Sequence, residues 1–274
     1  MRVYHFKRKD GRLNFGDDLS PAVISHVLNV SVQYSGPQHA EIMSVGSILS
    51  YWSAKNSRRR NFFDRILFRQ PIAVFGSGII AERPVKLPNC EILALRGPLT
   101  QKHLGLENVA IHADPGLLAS RLVPKVNSGK QIGIVPHYVD KQHAVIAALE
   151  LDPQFKIIDV ERPWADVLME ISQCSMVLSS SLHGLIASDS YGIPNVRITF
   201  SDQIVGGDFK FFDYGLSVDR GHLHAKPIGS VSDIFQIIES SELTQSVIDP
   251  EINELKQVQL MSALRSWYDG RSRR

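Results

Sequence analysis

The stretch "MVLSSSLHGLIASDSYGIPNVRITF", residues 176–200, indicates the fold of this chain. An apolar run with three serines predicts a strand at 176–181, and a helical pattern follows at 182–191, where glycine and proline end it. A further apolar run predicts a second strand at 194–200. Two strands joined by a helix are typical of a parallel sheet that is covered by helices.

The same alternation extends through most of the chain. A first series predicts strands at 2–6, 41–49, 71–78, 90–95 and 108–116, with helices at 18–28 and 98–105. A second series predicts strands at 132–138, 155–160, 176–181 and 194–200, with helices at 141–150, 163–173 and 182–191. The predicted fold class is therefore α/β, with two Rossmann-like domains whose parallel sheets face a cleft.

A polar stretch at 122–131 is the predicted linker between these domains. We accordingly predict an N-terminal domain at 1–122 and a C-terminal domain at 123–249. Residues 250–274 are predicted to contribute a helix, at about 250–268, that packs across one domain, and a basic tail.

Composition restricts the class of partner. The 274 residues carry a formal net charge of +2, which gives no reason to expect a nucleic-acid partner. The two cysteines have no metal-ligand spacing, which favours a reducing compartment. The N-terminus turns polar too soon for a signal peptide, and no apolar run reaches about 18 residues. We therefore expect a cytoplasmic protein.

Two basic clusters, at 57–60 and 271–274, stand out from this balanced composition. They predict either a solvated loop and tail or a weak attraction to an anionic membrane surface, such as the inner face of the plasma membrane.

The corner between the strand at 176–181 and its helix is the first candidate site. The hydroxyls of Ser180 and Ser181 and the free N–H groups at Leu182 could hold a phosphate or a carboxylate. His183 lies beside them, and a bound anion would favour its imidazolium form, so it could donate a proton. The alternative is a helix cap with an incidental histidine.

Three further side chains could bind an anion. Arg96 follows a strand and begins a Gly-Pro turn, which suits a two-pronged grip on a carboxylate or phosphate, although a structural ion pair is the alternative. His137 ends a strand of the second series. Lys210 follows a glycine-rich loop and lies among aromatic residues, as in a lid that carries a cation or in an ordinary surface loop.

Polar residues at other strand ends are candidates for the acceptor. Asn14 and Asp17 could hold a sugar hydroxyl, or Asp17 could simply cap a helix. Asp114 could orient Arg96 or cap the turn that follows it. The glycines of "FGSGII" lack the full dinucleotide fingerprint, and no His/Asp/Glu cluster has metal-ligand spacing. We therefore expect neither a resident cofactor nor a metal.

Taken together, these motifs resemble the polysaccharide pyruvyl transferase family, and most closely its bacterial exopolysaccharide members. The resemblance rests on "NFGDDL", "GSGII", "LALRGPLT", "ADPGLL", "SSSLHGLIASDSYGIPNV" and "FKFFDY", which together span about residues 14–214. One departure is that Ser181 stands where many members have an arginine.

The resemblance implies a fold like that of GT-B glycosyltransferases. It also implies transfer of a pyruvyl group from phosphoenolpyruvate onto two hydroxyls of a saccharide, which could be lipid-linked, to form a pyruvate ketal. His183 matches the family's catalytic histidine, and Arg96 matches a donor-binding position. Because Ser181 replaces the arginine, Arg96, Lys210, His137 or backbone N–H groups would have to hold the donor.

Two other functions stay open at this point. One is a nucleotide-sugar-dependent glycosyltransferase of the same fold, with its diphosphate at the same helix start. The other is a glycan-binding protein without catalytic activity.

Overall fold

The structure contains two five-stranded sheets in which every strand pair is parallel. It is a computed structural model that describes residues 1–37, 39–51, 71–87, 89–126, 129–240 and 247–272. The basic cluster at 57–60 and the last two residues of the tail therefore lie outside the described residues.

The strands of the first sheet are β1 (Arg2–Tyr4), β2 (Gln33–Tyr34), β3 (Ile42–Met43), β4 (Ile72–Phe75) and β5 (Cys90–Ala94), in the spatial order β2-β1-β3-β4-β5. The strands of the second sheet are β6 (Ile132–Val135), β7 (Phe155–Ile157), β8 (Met176–Ser179), β9 (Asn195–Thr199) and β10 (Lys226–Pro227), in the order β10-β9-β8-β6-β7. The predicted α/β class with two parallel sheets is confirmed.

The helices of the described residues cover these sheets. They are α1 (Phe15–Leu28), α2 (Pro98–Leu104), α3 (Ala119–Leu122), α4 (Ala144–Leu149), α5 (Trp164–Ser172), α6 (Leu182–Ser190), α7 (Phe209–Ser217), α8 (Val231–Glu239) and α9 (Pro250–Ser272). Short 3₁₀ helices lie at Ile48–Tyr51 and Pro115–Leu118. The helices predicted at 98–105, 163–173 and 182–191 are confirmed as α2, α5 and α6.

Three predicted elements differ from the structure. The strand expected at 41–49 ends after Met43, and Gly46 then turns the chain with a φ of +103°. The strand expected at 108–116 is reduced to one bridge between Leu95 and His112. The glycine-rich loop expected before Lys210 ends at Asp208, and the aromatic residues around Lys210 form the helix α7 from Phe209 onward.

Apolar side chains from both halves of the sequence share one core. Leu185 and Ile186 of α6 and Phe211 of α7 belong to the same buried cluster as Val3 and Phe75 of the first sheet. The long helix α9 joins this cluster and packs against α1 and β5. The domain boundaries proposed from the sequence stay predictions, because packing continues across them.

A buried ion pair fixes α7 against the first half of the chain. Nε of Arg96 donates to Oδ2 of Asp213 at 2.9 Å, and both side chains are fully buried. Thr100 donates to the same carboxylate from its backbone N–H and its hydroxyl. Gly97 has no room for a side chain, since a Cβ there would lie 1.9 Å from the carbonyl oxygen of Asp213. The "RGP" sequence is therefore the docking point of α7.

We expect the substitution Asp213→Asn to lower the free energy of unfolding by about 3 kcal/mol, because it leaves the buried Arg96 charge without its counter-ion. Urea denaturation measures this change. The matched control is Glu254→Gln, which breaks a partly exposed pair with Arg121 and should cost less than about 1 kcal/mol. Equal effects of the two substitutions would contradict a structural role for the buried pair.

Candidate active site

A cavity of about 140 Å³ lies where loops from the two sheets meet. Its lining comes from the loops after β1, β3, β4, β6 and β7, from the start of α1 and the start of α6, and from the 201–208 loop and Lys210 of α7. Because β1, β3, β6 and β7 are parallel within their sheets, the cavity lies at carboxyl ends, where open α/β sheets bind ligands.

The start of α6 presents unused hydrogen-bond donors to the cavity. Ser181 is the N-cap residue, but its side chain makes no capping hydrogen bond. Ser181 and Leu182 line the cavity. The backbone N–H groups of a first helical turn have no partner within the helix, and the helix dipole makes this end positive. This end of α6 is therefore suited to bind an anion.

Lys210 brings a positive charge to the same cavity. Its side chain is 8% exposed, and it makes no hydrogen bond or ion pair with any described residue. Its ammonium lies 5.4 Å from the centre of the Phe211 ring. Burial lowers the pKa of Lys210 to about 8, with Arg96 and Arg197 lowering it further and Asp17 opposing them.

His183 lies half-buried in the cavity wall, in the first turn of α6. A Cβ on Gly16 would lie 2.0 Å from its Nδ1, so the ring packs directly against the start of α1. Its Nε2 is buried without a hydrogen-bond partner among the described residues. Burial lowers the pKa of His183 to about 3, and the charges of Lys210 and Arg96 act in the same direction. The ring is thus neutral in the unliganded protein.

His137 lies on the opposite, β6 side of the lining. Its backbone N–H donates to the hydroxyl of Ser180 at 2.8 Å, and its ring stacks on Tyr138 at 4.2 Å between centroids. Burial lowers the pKa of His137 to about 3, with further lowering by Lys210 and Arg8. His137 is therefore also neutral and can act as a hydrogen-bonding group.

Asp17 and Asn14 lie together at the start of α1. Nδ2 of Asn14 donates to Oδ2 of Asp17 at 2.7 Å. Burial raises the pKa of Asp17 to about 7; Asp18 adds to the rise, and Lys210 opposes it. A nearly buried carboxyl group with a raised pKa is a common feature of catalytic sites.

The structure brings together seven of the ten residues that the sequence proposed for the site. These are Asn14, Asp17, His137, Ser181, Leu182, His183 and Lys210. The other three, Arg96, Ser180 and Asp114, are fully buried and do not line the cavity.

Each of those three has a structural partner. Arg96 is held by Asp213, by the Ser47 hydroxyl at 2.7 Å and by the carbonyl of Ile79 at 2.7 Å. Ser180 donates to Asp140, and Asp114 accepts the N–H of Gly116 in the following turn. Donor binding by Arg96 and Ser180, and acceptor binding by Asp114, stay predictions with no contact to the cavity.

Sequence reasoning missed several lining residues, among them Phe6, Gly46, Ser47 and Tyr138. The first follows β1, the two middle ones follow β3, and Tyr138 follows β6. The predicted strands at 2–6, 41–49 and 132–138 include these positions, so the pattern did not indicate that they lie in loops. A glycine within the apolar run 41–49 was the available signal.

The described residues contain neither a candidate membrane span nor a candidate metal site. None of the described helices is both long and apolar enough to span a bilayer. The described residues also contain no group of three or more His, Cys, Asp or Glu side chains that could hold a metal ion.

Comparison with known proteins identifies the family. A family model for polysaccharide pyruvyl transferases matches residues 4–202, most of the chain. The chain belongs to the polysaccharide pyruvyl transferase family. The resemblance noted in the sequence is thereby confirmed, and His183 lies within the matched range whereas Lys210 lies beyond it.

Individual relatives agree with this family. The succinoglycan biosynthesis protein ExoV of Rhizobium meliloti (strain 1021) is 26% identical over 218 residues, which cover 78% of this chain and 64% of ExoV. The uncharacterized protein L143 of Acanthamoeba polyphaga mimivirus is 35% identical over 107 residues, 37% of each chain. The matches thus span less than two thirds of either relative's length.

Among solved structures, the E. coli heptosyltransferase WaaC with ADP aligns with a TM-score of 0.35 and 11% identity, over 87% of this chain and 99% of that chain.

We expect Gly16→Ala to reduce transferase turnover at least 100-fold, because the new methyl group would displace the ring of His183, the residue predicted to be catalytic, and displacement of such a group commonly costs that much. Alanine otherwise favours a helix, so circular dichroism should show a folded protein. Gly270→Ala in α9 is the control, since no atom lies within 4 Å of a Cβ there. Near-normal turnover of Gly16→Ala would show that the ring position is not critical.

The pH dependence of stability should reveal the neutral state of His183. Its pKa is about 3 in the folded protein and 6.5 in the unfolded chain, so only the unfolded chain gains a proton as the pH falls below 6.5. We therefore expect the stability difference between wild type and His183→Gln to shift against wild type between pH 6.5 and 4. Unfolding free energies measured across this range test the sign, and a constant difference would contradict the lowered pKa.

Proposed function

We propose that this protein transfers a pyruvyl group from phosphoenolpyruvate to two hydroxyls of a sugar, in a polysaccharide or its precursor, to form a pyruvate ketal. Membership of the polysaccharide pyruvyl transferase family and the likeness to ExoV support the reaction class and a saccharide acceptor. The observation that carries the proposal is the unpaired ammonium of Lys210 beside the uncapped start of α6.

This pair of features supports a highly anionic donor. A charged lysine that is 8% exposed and forms no ion pair with a described residue is costly to bury. A ligand carrying both a phosphate and a carboxylate would supply the missing negative charge. We propose that the phosphate or the carboxylate of phosphoenolpyruvate lies between Lys210 and the N–H groups that follow Ser181.

Neutral side chains complete the donor site in this proposal. His137 can donate one hydrogen bond, and the Ser181 hydroxyl has no protein partner among the described residues. Arg96 acts at a distance through its buried charge, which already lowers the pKa of His183 and Lys210. This division of tasks would compensate for Ser181 at the position where many relatives have an arginine.

The chemistry proposed for the site is proton transfer by His183. Addition of a proton to the methylene carbon of phosphoenolpyruvate makes C2 electrophilic, a sugar hydroxyl attacks C2, phosphate leaves, and a second hydroxyl closes the ketal. The neutral imidazole can accept a hydroxyl proton directly, and the negative charge of a bound donor would raise its pKa. Phosphoenolpyruvate is a co-substrate here, and the proposal includes no resident cofactor or metal.

We also propose that the reaction takes place in the cytoplasm, with peripheral association at the inner face of the plasma membrane if the acceptor is lipid-linked.

Ligand-induced thermal stabilisation separates this function from a nucleotide-sugar glycosyltransferase. We expect phosphoenolpyruvate, and no member of a nucleotide-sugar panel, to raise the melting temperature, with about 2.7 kcal/mol of stabilisation at a hundredfold excess over Kd. Phosphate release with a panel of glycosides that carry free diols then tests turnover. Stabilisation by a nucleotide sugar alone would overturn the proposal, and donor binding without any phosphate release would favour a glycan-binding protein.

The substitution Lys210→Met tests whether the Lys210 ammonium binds the donor. It should weaken phosphoenolpyruvate binding at least tenfold, because it removes the buried cation from the cavity while preserving the length of the side chain. Lys130→Met is the control, since Lys130 is exposed and precedes β6, at the edge of the sheet away from the cavity. Equal affinities of the two variants would argue against donor binding by Lys210.

A further inference from the structure

Asp17 is the single acidic side chain among the described residues that line the cavity. It is 8% exposed, and no lysine, arginine or histidine of the described residues forms an ion pair with it. Its one side-chain hydrogen bond is the one donated by Asn14 to Oδ2. A carboxylate buried with so little compensation is unfavourable, whereas a protonated carboxyl group would be well accommodated.

The contacts of Asp17 indicate which oxygen carries the proton. Oδ2 accepts a hydrogen bond from the Asn14 amide, so the proton belongs on Oδ1. Oδ1 lies against Gly46, where a Cβ would be 2.6 Å away, and Gly46 itself lines the cavity. The missing side chain at Gly46 therefore gives Oδ1 of Asp17 the room that it occupies at the cavity wall.

The position of Asp17 relative to His183 is set by the start of α1. The imidazole packs against Gly16, the residue directly before Asp17, so one helical turn places an acidic group and a basic group on the same cavity. The charged and titratable groups that act on Asp17 are Asp18, Lys210 and Asp114, and His137 and His183 line the same cavity.

The charge states of these groups are complementary. With its pKa raised to about 7 by burial, Asp17 holds a proton in a large share of molecules at neutral pH. His183, with its pKa lowered to about 3, holds none on its basic nitrogen. The resting site thus contains one neutral acid and one neutral base, which is the pair that addition of a hydroxyl across a double bond requires.

We propose that Asp17 is a second catalytic residue, the acid that protonates the methylene carbon of the donor, while His183 receives the proton of the attacking hydroxyl. This inference rests on the proposed function. It assigns the first proton transfer to Asp17 rather than to His183, which the sequence had favoured, and it differs from the acceptor-binding role that the sequence suggested for Asp17.

The proton transfers balance over one turnover. The O–H bond of Asp17 breaks as a C–H bond forms at C3 of phosphoenolpyruvate, and the first sugar hydroxyl bonds to C2 and gives its proton to His183. The C2–O bond to phosphate then breaks, and the imidazolium returns its proton to the departing phosphate. The second hydroxyl bonds to C2 and gives its proton to the Asp17 carboxylate. Both side chains regain their resting states, and the products are the ketal and hydrogen phosphate.

Kinetic analysis of Asp17→Asn tests this role, with Asp166→Asn as the matched control, because Asp166 is an exposed carboxylate of α5 outside the cavity lining. We expect Asp17→Asn to lower kcat at least 100-fold, to keep the Kd for phosphoenolpyruvate within about threefold, and to leave the acceptor KM little changed. A raised acceptor KM with near-normal kcat would overturn the inference in favour of acceptor binding. If Asp17→Asn loses phosphoenolpyruvate binding while wild type retains it, the inference is overturned in favour of a donor-binding or structural role.

A second measurement needs no acceptor. At pH 8, above the resting pKa of Asp17, the trianionic donor should draw a proton onto this carboxyl group as it binds. Calorimetric titration with phosphoenolpyruvate in buffers of different ionisation enthalpy should therefore show about one proton fewer taken up by Asp17→Asn than by wild type. Equal proton uptake would contradict a protonated Asp17. If wild type itself does not bind phosphoenolpyruvate, the proposed function is wrong, and this inference is wrong with it.

If Asp17→Asn does not fold, Asp17→Ala provides the alternative. The truncated side chain leaves room for a small carboxylic acid, and added formate or acetate should restore part of the lost turnover. A structural or acceptor-binding role for Asp17 predicts no such rescue.

Discussion

The ion pair between Arg96 and Asp213 is the interaction on which the cavity depends. Both groups are fully buried, and every nitrogen of the guanidinium has an acceptor. Asp213 lies three residues after Lys210 on α7, so the helix that is anchored by one side chain delivers the other to the cavity. The second half of the chain thereby places its cation above loops that belong to the first sheet.

The electrostatics of the cavity follow from this arrangement. Burial keeps His183 neutral, with the charges of Lys210 and Arg96 acting in the same direction, and burial also favours the protonated form of Asp17. The charge of Lys210 is therefore poorly compensated within the cavity. Buried positive charge that lacks a counter-ion is unfavourable in the unliganded site, and a bound anionic donor would compensate that charge. Binding of the donor and adjustment of the proton positions are therefore coupled, because each changes the charge that the other experiences.

Much of the candidate site followed from position alone. Asn14, His137 and His183 were recognised because each follows a predicted strand, and parallel strands bring their carboxyl ends to one edge. The same rule selects Arg96 and Asp114, which the structure buries outside the cavity lining. Sequence position identifies the edge of the sheet but not the direction in which a side chain points. That direction depends on partners such as Asp213, more than 100 residues away.

The sequence by itself determined the class of this protein. Short apolar runs that alternate with helical patterns predict parallel strands and helices, since these patterns depend on local geometry. The helical part of residues 209–217 and the end of the strand at Met43 depended on contacts that local pattern does not contain, and the tertiary structure decided them. It also decided the charge state of the site. The pKa values of Asp17, His183 and Lys210 are set by burial and by charges brought together from distant segments, and only folding brings them together.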